Sequence, residues 1–241
     1  MTSVTVPPAI VDAIERASLL DAPLQARLDS FAGVMFTHFP EVAAAVERLI
    51  VRLRDAGAGS AAPQVGDEMP DFLLPDQAGH LVTLADVLAD GPAAITFFRG
   101  HWCPYCQIQA QSLARALEHI VAAGGTLVAI TPELRHYTKR QRSQAKARYA
   151  ILSDVDNGYA MSMNLTIWVG TEMQQFMSEF GRDLTHYQGN PSWFLPIPAT
   201  FVVDPSRVIR ARFIDPDYRK RMSTEELIDA LKAARAANPR P

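Results

Sequence analysis

Cysteine is scarce in this chain, and its scarcity narrows the chemistry that the protein can perform. The 241 residues include two cysteines, Cys103 and Cys106, which lie within four positions of each other. Two cysteines this close together exclude a scaffold of disulfides between distant loops. An ordinary four-cysteine zinc site would need two more sulfurs. All the thiol groups of the protein therefore belong to one short motif.

Long hydrophobic runs and an excess of one charge are also missing. Lys and Arg number 23 against 26 Asp and Glu, a net charge of −3, which provides no overall field for nucleic acid or an anionic membrane. No segment approaches the roughly 20 apolar residues that a membrane span needs. Because no apolar run follows a basic start, the sequence shows no secretory signal, and we expect a cytoplasmic protein. Hydrophobic residues at 48% and charged residues at 20% are typical of a globular domain.

The first 60 residues have the apolar periodicity of helices, with prolines near the expected helix starts. Residues 57–63 consist of Gly, Ala, Ser and Pro and indicate a linker. We therefore predict a helical N-terminal extension over residues 1–60 and a second unit over residues 64–237. The extension is expected to form a packing layer or a dimer surface; the alternative is a lid over an active site.

After the linker, strand and helix patterns alternate. A hairpin is predicted over 72–84, followed by a buried strand at 93–98, a helix from 104 to 123 and a second buried strand at 126–130. Strand, helix and strand in this order predict a right-handed parallel βαβ unit. Further on we predict a helix at 134–149, a strand at 151–154, mostly helix at 158–181, a loop at 182–196, strands at 200–204 and 208–214, and a final helix to 237. The chain is thus of the α/β class.

The two cysteines lie where the strand of the predicted βαβ unit passes into its helix. A thiol at a helix N-terminus faces unpaired backbone N–H groups and the positive end of the helix dipole, which both favour the thiolate. Pro104 suits the first helical position, which needs no N–H. Cys106 returns to the same face about one turn later, close enough to attack a mixed disulfide on Cys103. We predict Cys103 as the nucleophile and Cys106 as the resolving cysteine.

Two other interpretations of the pair stay open at this point. Both sulfurs could bind a metal together with His101 or His119, although the spacing is unlike that of common zinc modules. They could also be inert thiols in the core. The strand before the pair and the helix that begins at it favour redox chemistry, which requires no metal and no organic cofactor.

The residues around the cysteines resemble a known active site. The segment 98–106 is similar to that of the thioredoxin superfamily, and Cys-Pro-Tyr-Cys is the glutaredoxin form of the pair. Residues 65–72, 152–154 and 198–204 resemble landmarks of the peroxiredoxin-like branch of the AhpC/TSA family, so that the likeness covers roughly residues 64–235. It implies a thioredoxin-like fold, in which a central mixed sheet is flanked by helices.

The resemblance also implies a function and partners. The chain would be a thiol-dependent antioxidant oxidoreductase that reduces hydroperoxides through Cys103, forms a disulfide with Cys106, and is regenerated by a thioredoxin or glutathione system. The alternatives are a thioredoxin- or glutaredoxin-like disulfide reductase and a redox-sensing interaction protein. A homodimer is a further expectation, whereas nucleic acid and membrane partners are not expected.

The chain departs from the family pattern at several positions. Typical peroxiredoxins have Pro seven residues and Thr three residues before the reactive cysteine, where this chain has Thr96 and Gly100. The family arginine that polarises the peroxide would fall near Pro198 and is replaced. Arg99 and His101 are candidate hydrogen-bond donors, although we expect His101 at an exposed rim and Tyr105 exposed at the helix tip.

Arg99, Trp102 and Pro198 complete the predicted site. Trp102 is expected to support the motif as a packed aromatic side chain. Pro198 precedes a strand and is the candidate for a cis peptide bond, whose backbone edge would bind an extended thiol substrate.

Overall fold

The computed structural model describes residues 6–238, and three helices come first. They are α1 (Pro8–Leu19), α2 (Leu24–His38) and α3 (Pro40–Asp55). Proline stands at the first position of α1 and α3, and Pro23 is the N-cap of α2, where a missing N–H costs no helical hydrogen bond. The helices predicted for the N-terminal extension are therefore present, and the first five residues of that extension lie outside the described residues.

A five-stranded mixed sheet forms the centre of the molecule, in the order β5-β4-β3-β8-β9. Its strands are β3 (Ala93–Phe97), β4 (Thr126–Thr131), β5 (Ala150–Ser153), β8 (Ala199–Val203) and β9 (Ile209–Ile214). The first three are parallel, while β8 pairs antiparallel with β3, and β9 with β8. All five residues of β3 are buried, as its continuous apolar sequence predicts.

Helices cover both faces of this sheet and make the parallel connections. Helix α5 (Pro104–Ala122) joins β3 to β4, and α6 (Arg135–Ala145) joins β4 to β5. The final helix, α10 (Thr224–Ala237), begins with a capping box formed by Ser223 and Glu226. The predicted hairpin is present as β1 (Leu73–Pro75) and β2 (Leu81–Thr83), followed by the short α4 (Leu84–Val87). The thioredoxin-like fold class is confirmed.

Residues 158–196 are arranged differently from the prediction of a long helical stretch and a loop. The structure has α7 (Gly158–Ser162), β6 (Thr166–Trp168), α8 (Thr171–Glu179), α9 (Leu184–Gln188) and β7 (Phe194–Pro196). Asn164 and Gly170 have φ of 53° and 88°, a left-handed conformation that ends one helix and precedes the next. Strands β6 and β7 pair with each other, a contact across more than 20 residues that local periodicity does not reveal.

The N-terminal helices pack on the sheet domain and share a core with it. Helices α1 and α2 contact α5, and α3 contacts α8. Leu28, Phe31 and Ile50 are almost fully buried in the same apolar cluster as Ile108 of α5, and each such side chain contributes about 1.5–3 kcal/mol by burial. The buried Arg27 also donates to Ser112 Oγ at 2.6 Å. The extension is thus the packing layer that its sequence predicts.

Within residues 6–238, no helix combines the length and the hydropathy of a membrane span.

Candidate active site

Cys103 and Cys106 occupy the places that the sequence predicts for them. Cys103 is the N-cap of α5, with an extended backbone (φ −80°, ψ 116°), and Pro104 follows in the first turn. Cys106 lies one turn further along, in the same helix. Both are free thiols, and the exposed fraction is 1% for Cys103 and 0% for Cys106. Any reagent must therefore reach the Cys103 sulfur through a pocket rather than from an open surface.

The pKa values of the two thiols are shifted in opposite directions. Burial opposes ionisation of Cys103, but a hydrogen bond from Cys106 and the positive charges of Arg99 and Arg221 outweigh it and lower the pKa of Cys103 to about 5. Burial and the same hydrogen bond raise the pKa of Cys106 well above its usual value. At neutral pH the pair therefore consists of a Cys103 thiolate that accepts a hydrogen bond from the Cys106 thiol.

Arg99 lies inside the site and reaches both cysteines. Its backbone N–H donates to Cys106 Sγ at 3.3 Å, while its guanidinium lies over the ring of Tyr218 at 3.8 Å and over that of Trp102 at 5.2 Å. Burial disfavours the Arg99 charge, but the Cys103 thiolate and Tyr218 favour it, and the pKa of Arg99 is raised. The two rings hold the guanidinium in place. Trp102 is 5% exposed, a packed support as predicted.

Arg221 is a second buried cation that the sequence analysis missed. Its Nη2 lies 3.9 Å from Cys106 Sγ, and its Nε donates to Gln109 Oε1 at 2.6 Å. Further hydrogen bonds to the carbonyls of Tyr218 and Lys220 fix the guanidinium. Arg221 lies 115 residues after Cys106, between β9 and α10, and no local motif marks it.

An apolar pocket leads to Cys103. The N-terminal helices, α8 and the arginine-bearing loops supply its walls, and the empty space between them is about 840 Å³, with the solvent at its mouth included. Cys103, Arg99 and Trp102 belong to this lining, so residues of the extension form part of the active-site wall, and a movable lid stays a prediction. Other side chains of the lining include Ile10, Phe31, Met35, Val46, Met173, Phe176, Met177, Arg182 and Arg219.

Tyr105 is buried in the pocket wall, and the expectation that it is exposed was wrong. The exposed fraction of the side chain is 6%. Its ring packs edge-on against Phe31 at 5.1 Å between centroids and against Tyr218 at 5.5 Å. The physical reason is the extension: α2 covers the helix tip that would otherwise face solvent.

His101 is also buried rather than at an exposed rim. Its Nδ1 lies 2.6 Å from Glu133 Oε1, and its backbone N–H donates to Glu133 Oε2 at 2.6 Å. The imidazole stacks on Tyr137 with 4.7 Å between ring centroids. Glu133 satisfies the backbone N–H and Nδ1 of His101, which favours the burial of this side chain.

Among the described residues, the cysteine pair lacks the further ligands that the metal interpretation requires. His119 lies in the last turn of α5, 13 residues and hence about 20 Å along the axis from Cys106. No group of three or more His, Cys, Asp or Glu side chains suited to a metal occurs in the part of the chain that the structure describes.

Comparison with known proteins identifies the family. The sequence profile of the AhpC/TSA family matches residues 65–212. The chain belongs to the AhpC/TSA family. Membership makes it a thiol-dependent peroxidase, and the matched region begins after the three N-terminal helices. No curated protein matches the chain in a sequence search.

Solved structures of other AhpC/TSA-type proteins show the same fold. The peroxidoxin BcpB of Mycobacterium tuberculosis is 20% identical, with a TM-score of 0.55 over 70% of this chain and 97% of its own. AhpC of the same organism is 12% identical, with a TM-score of 0.55 over 74% and 97%. The yeast mitochondrial 1-Cys peroxiredoxin is 16% identical, with a TM-score of 0.55 over 73% and 78%. At these identities the similarity concerns the fold.

The structure explains two departures from the AhpC/TSA pattern. Gly100, at the position of the family threonine, has φ of 146°, and a Cβ there would collide with the Trp102 indole and lie 2.8 Å from the Glu133 carboxyl carbon. A side chain does not fit while Trp102 packs beside the motif. Thr96, at the position of the family proline, is buried and donates to the Ala199 carbonyl at 3.2 Å, which ties β3 to β8.

Pro198 does not line the pocket, and its peptide bond is trans. It is buried between β7 and β8, and every peptide bond of the described chain is trans. The preceding Ile197 donates its N–H to the Leu165 carbonyl at 2.7 Å, so the β6–β7 hairpin sets the path of the chain. Pro198 is not among the described residues that line the pocket over Cys103.

Proposed function

We propose that this AhpC/TSA protein reduces hydroperoxides through Cys103, that Cys106 resolves the oxidised sulfur, and that a thioredoxin or glutathione system reduces the resulting disulfide. One observation carries the proposal: a buried thiolate lines an apolar pocket beside two arginines. A thiolate is the reactive form of cysteine, and it is available here at neutral pH.

Cys103 reacts first because it is the more acidic of the two thiols. The Cys103 thiolate attacks the terminal oxygen of the hydroperoxide; an S–O bond forms, the O–O bond breaks, and the alkoxide leaves and takes a proton to become an alcohol. Cys103 is then a sulfenic acid. The Cys106 sulfur attacks it, an S–S bond forms, and the hydroxyl group leaves with the Cys106 proton as water. Two thiols of the reductant restore both cysteines.

The two arginines have different roles in this scheme. Arg99 lines the pocket beside Cys103, where a fixed positive charge stabilises the oxygen that becomes negative as the O–O bond breaks. Arg221 lies beside Cys106, and its charge lowers the pKa of that thiol against the effect of burial. Arg221 therefore favours the Cys106 thiolate when it attacks the sulfenic acid.

The burial of Cys103 favours a hydroperoxide over a protein disulfide as the oxidising substrate. Either substrate must contact the attacking sulfur directly, and Cys103 is 1% exposed beneath the N-terminal helices, where a small molecule can enter the pocket. The same access limit applies to the reductant, so a small thiol such as glutathione fits this site better than a thioredoxin does. A redox-sensing role predicts instead that the affinity for a partner depends on the redox state while turnover is negligible.

Stopped-flow oxidation of the reduced protein tests the proposal. We expect reaction with hydroperoxides well above the rate of free cysteine, loss of the reaction in Cys103→Ser, and a dimedone-reactive sulfenic acid that persists in Cys106→Ser. Insulin reduction is the parallel assay for the disulfide reductase. A rate no faster than that of free cysteine, together with rapid insulin reduction, would overturn the peroxidase and support the reductase.

The cytoplasmic location and the homodimer expected from the sequence belong to the same proposal. Light scattering on the full chain measures the mass and tests the homodimer, and microscopy of the tagged protein in its own cells tests the location.

A further inference from the structure

The pocket over Cys103 is built largely by residues that the AhpC/TSA profile does not include. Ile10, Phe31, Met35 and Val46 come from the three N-terminal helices, whereas the matched region begins at residue 65. This part of the wall is specific to the extension. The extension therefore determines which molecules reach the sulfur, in addition to packing on α5.

The part of the pocket wall that α8 supplies is apolar as well. Met173, Phe176 and Met177 of α8 line it, and Met173 and Met177 are each 6% exposed. Thioether and aromatic side chains adapt to irregular apolar ligands. A pocket with such walls binds an aliphatic or aromatic chain more strongly than it binds a small polar molecule such as hydrogen peroxide.

Arg182 is a pocket cation that forms no salt bridge among the described residues, and its guanidinium donates a hydrogen bond to Tyr187. Arg219 pairs with Asp217 at 2.8 Å and with Glu47 at 2.6 Å, and Arg99 lies over two aromatic rings and beside the Cys103 thiolate. The ion pairs formed within residues 6–238 do not include Arg182.

The surroundings of Arg182 favour an incoming anion. Its side chain is half-buried, and burial lowers the pKa of Arg182 although Tyr187 and the Cys103 thiolate oppose this change. A guanidinium in an apolar wall gains most from a carboxylate, because the two groups form parallel charge-assisted hydrogen bonds away from water.

We propose that this pocket binds an apolar carboxylic acid, with its chain between the extension and α8 and its carboxylate on Arg182. The substrate of Cys103 is then the hydroperoxide of such an acid, and the product is the corresponding hydroxy acid. The identity of the substrate rests on the proposed peroxidase function, whereas the binding of the acid does not.

A binding experiment without any peroxide tests the proposal directly. The full-length Cys103→Ser variant is titrated with dodecanoate, with its methyl ester and with dodecanol, by isothermal titration calorimetry. We expect dodecanoate to bind about tenfold more tightly than the ester or the alcohol, since a charge-assisted hydrogen bond is worth about 1.5–3 kcal/mol. Equal affinities, or no binding of any of the three, would overturn the proposal.

Variants of pocket residues show where the acid binds. Arg182→Gln should lower the affinity for dodecanoate about tenfold and leave the affinity for the ester unchanged, and Arg182→Lys should retain part of the preference for the acid. Met177→Gln should lower the affinity for the acid and for the ester alike. Lys139→Gln removes an exposed charge of α6 outside the pocket and is the matched control. An Arg182→Gln variant that keeps the full preference for the acid would refute the role of Arg182.

Peroxidase kinetics separate this inference from the proposed function. A hydroperoxide of a long-chain acid should have a lower KM than hydrogen peroxide, and dodecanoate should inhibit its reduction competitively. If all hydroperoxides are reduced rapidly with the same KM, the peroxidase function stands and substrate selection by the pocket is refuted. If dodecanoate binds but no peroxide is reduced, the acid-binding pocket stands and the peroxidase function is refuted.

Discussion

Arg99 holds Cys106 by its backbone: the Arg99 N–H donates to Cys106 Sγ at 3.3 Å. Strand β3 ends two residues before Arg99, and Cys106 lies in the first turn of α5, so this bond joins the end of the strand to the start of the helix. The same residue places its guanidinium near the Cys103 thiolate. One arginine thus positions the resolving sulfur and stabilises the nucleophile.

The reaction with hydroperoxide should depend on pH through Cys103. Its pKa lies near 5, below the ordinary value of about 8.5, so the thiolate is present above pH 5 and is lost as the pH falls through that value. We expect the rate to be level between pH 6.5 and 8 and to fall in acid with a midpoint near 5. Iodoacetamide alkylation of Cys103 as a function of pH measures the same titration.

Cys106→Ala provides the comparison for this titration. The variant removes the hydrogen bond that Cys106 donates, so the midpoint for Cys103 should move to higher pH. An unchanged midpoint would show that the arginines alone hold the thiolate.

Loss of Arg221 should affect the second step of the reaction more than the first. Arg221→Met removes the charge beside Cys106, so the disulfide should form more slowly after the sulfenic acid appears. Stopped-flow fluorescence separates the two steps, and mass spectrometry should detect more sulfinic acid on Cys103 because the sulfenic acid lives longer.

The matched control for Arg221 is an exposed arginine. Arg48 forms a surface ion pair with Glu172 at 2.6 Å, and solvent screens such exposed pairs. Arg48→Met should therefore leave both steps unchanged. Equal slowing of both steps in Arg221→Met would contradict a role specific to Cys106.

Gly100→Ala should destabilise the fold. The new methyl group would collide with Trp102 and Glu133 at a φ of 146°, and we expect a loss of about 1–3 kcal/mol in the free energy of unfolding, measured by urea denaturation. Gly33→Ala is the control, since a Cβ at this helical position meets nothing within 4 Å. It should stabilise α2 by about 0.5–1 kcal/mol. A neutral Gly100→Ala would mean that Trp102 moves aside easily.

Phe31→Ala should open the pocket. Phe31 is 2% exposed and packs on Tyr105, and its truncation should cost about 3–5 kcal/mol of stability. Under conditions in which the variant remains folded, bulky thiol reagents should modify Cys103 faster than they do in the unmodified protein. Val51 lies on the exposed side of α3, away from the pocket wall. The control variant Val51→Ala should therefore change neither the stability nor the rate at which Cys103 is modified. Unchanged reactivity in Phe31→Ala would place the entrance elsewhere.

Local sequence was sufficient for the framework of the site. The apolar run before Cys103, the proline after it and Gly124-Gly125 predict β3, α5 and β4 with ends that differ from the structure by one residue. These signals act between neighbours, through helix capping and backbone preference. The strand β6 was missed because only its pairing with β7 defines it.

The sequence alone determined the α/β order of elements, the place of the cysteine pair at a helix start and the family to which the chain belongs. The tertiary structure decided which side chains surround the sulfurs. Arg221 reaches Cys106 from 115 residues away, and distant groups bury Tyr105 and His101, among them Phe31 of α2 and Glu133. Backbone preferences are encoded among adjacent residues, whereas burial and charge at a site depend on the distant segments that fold over it.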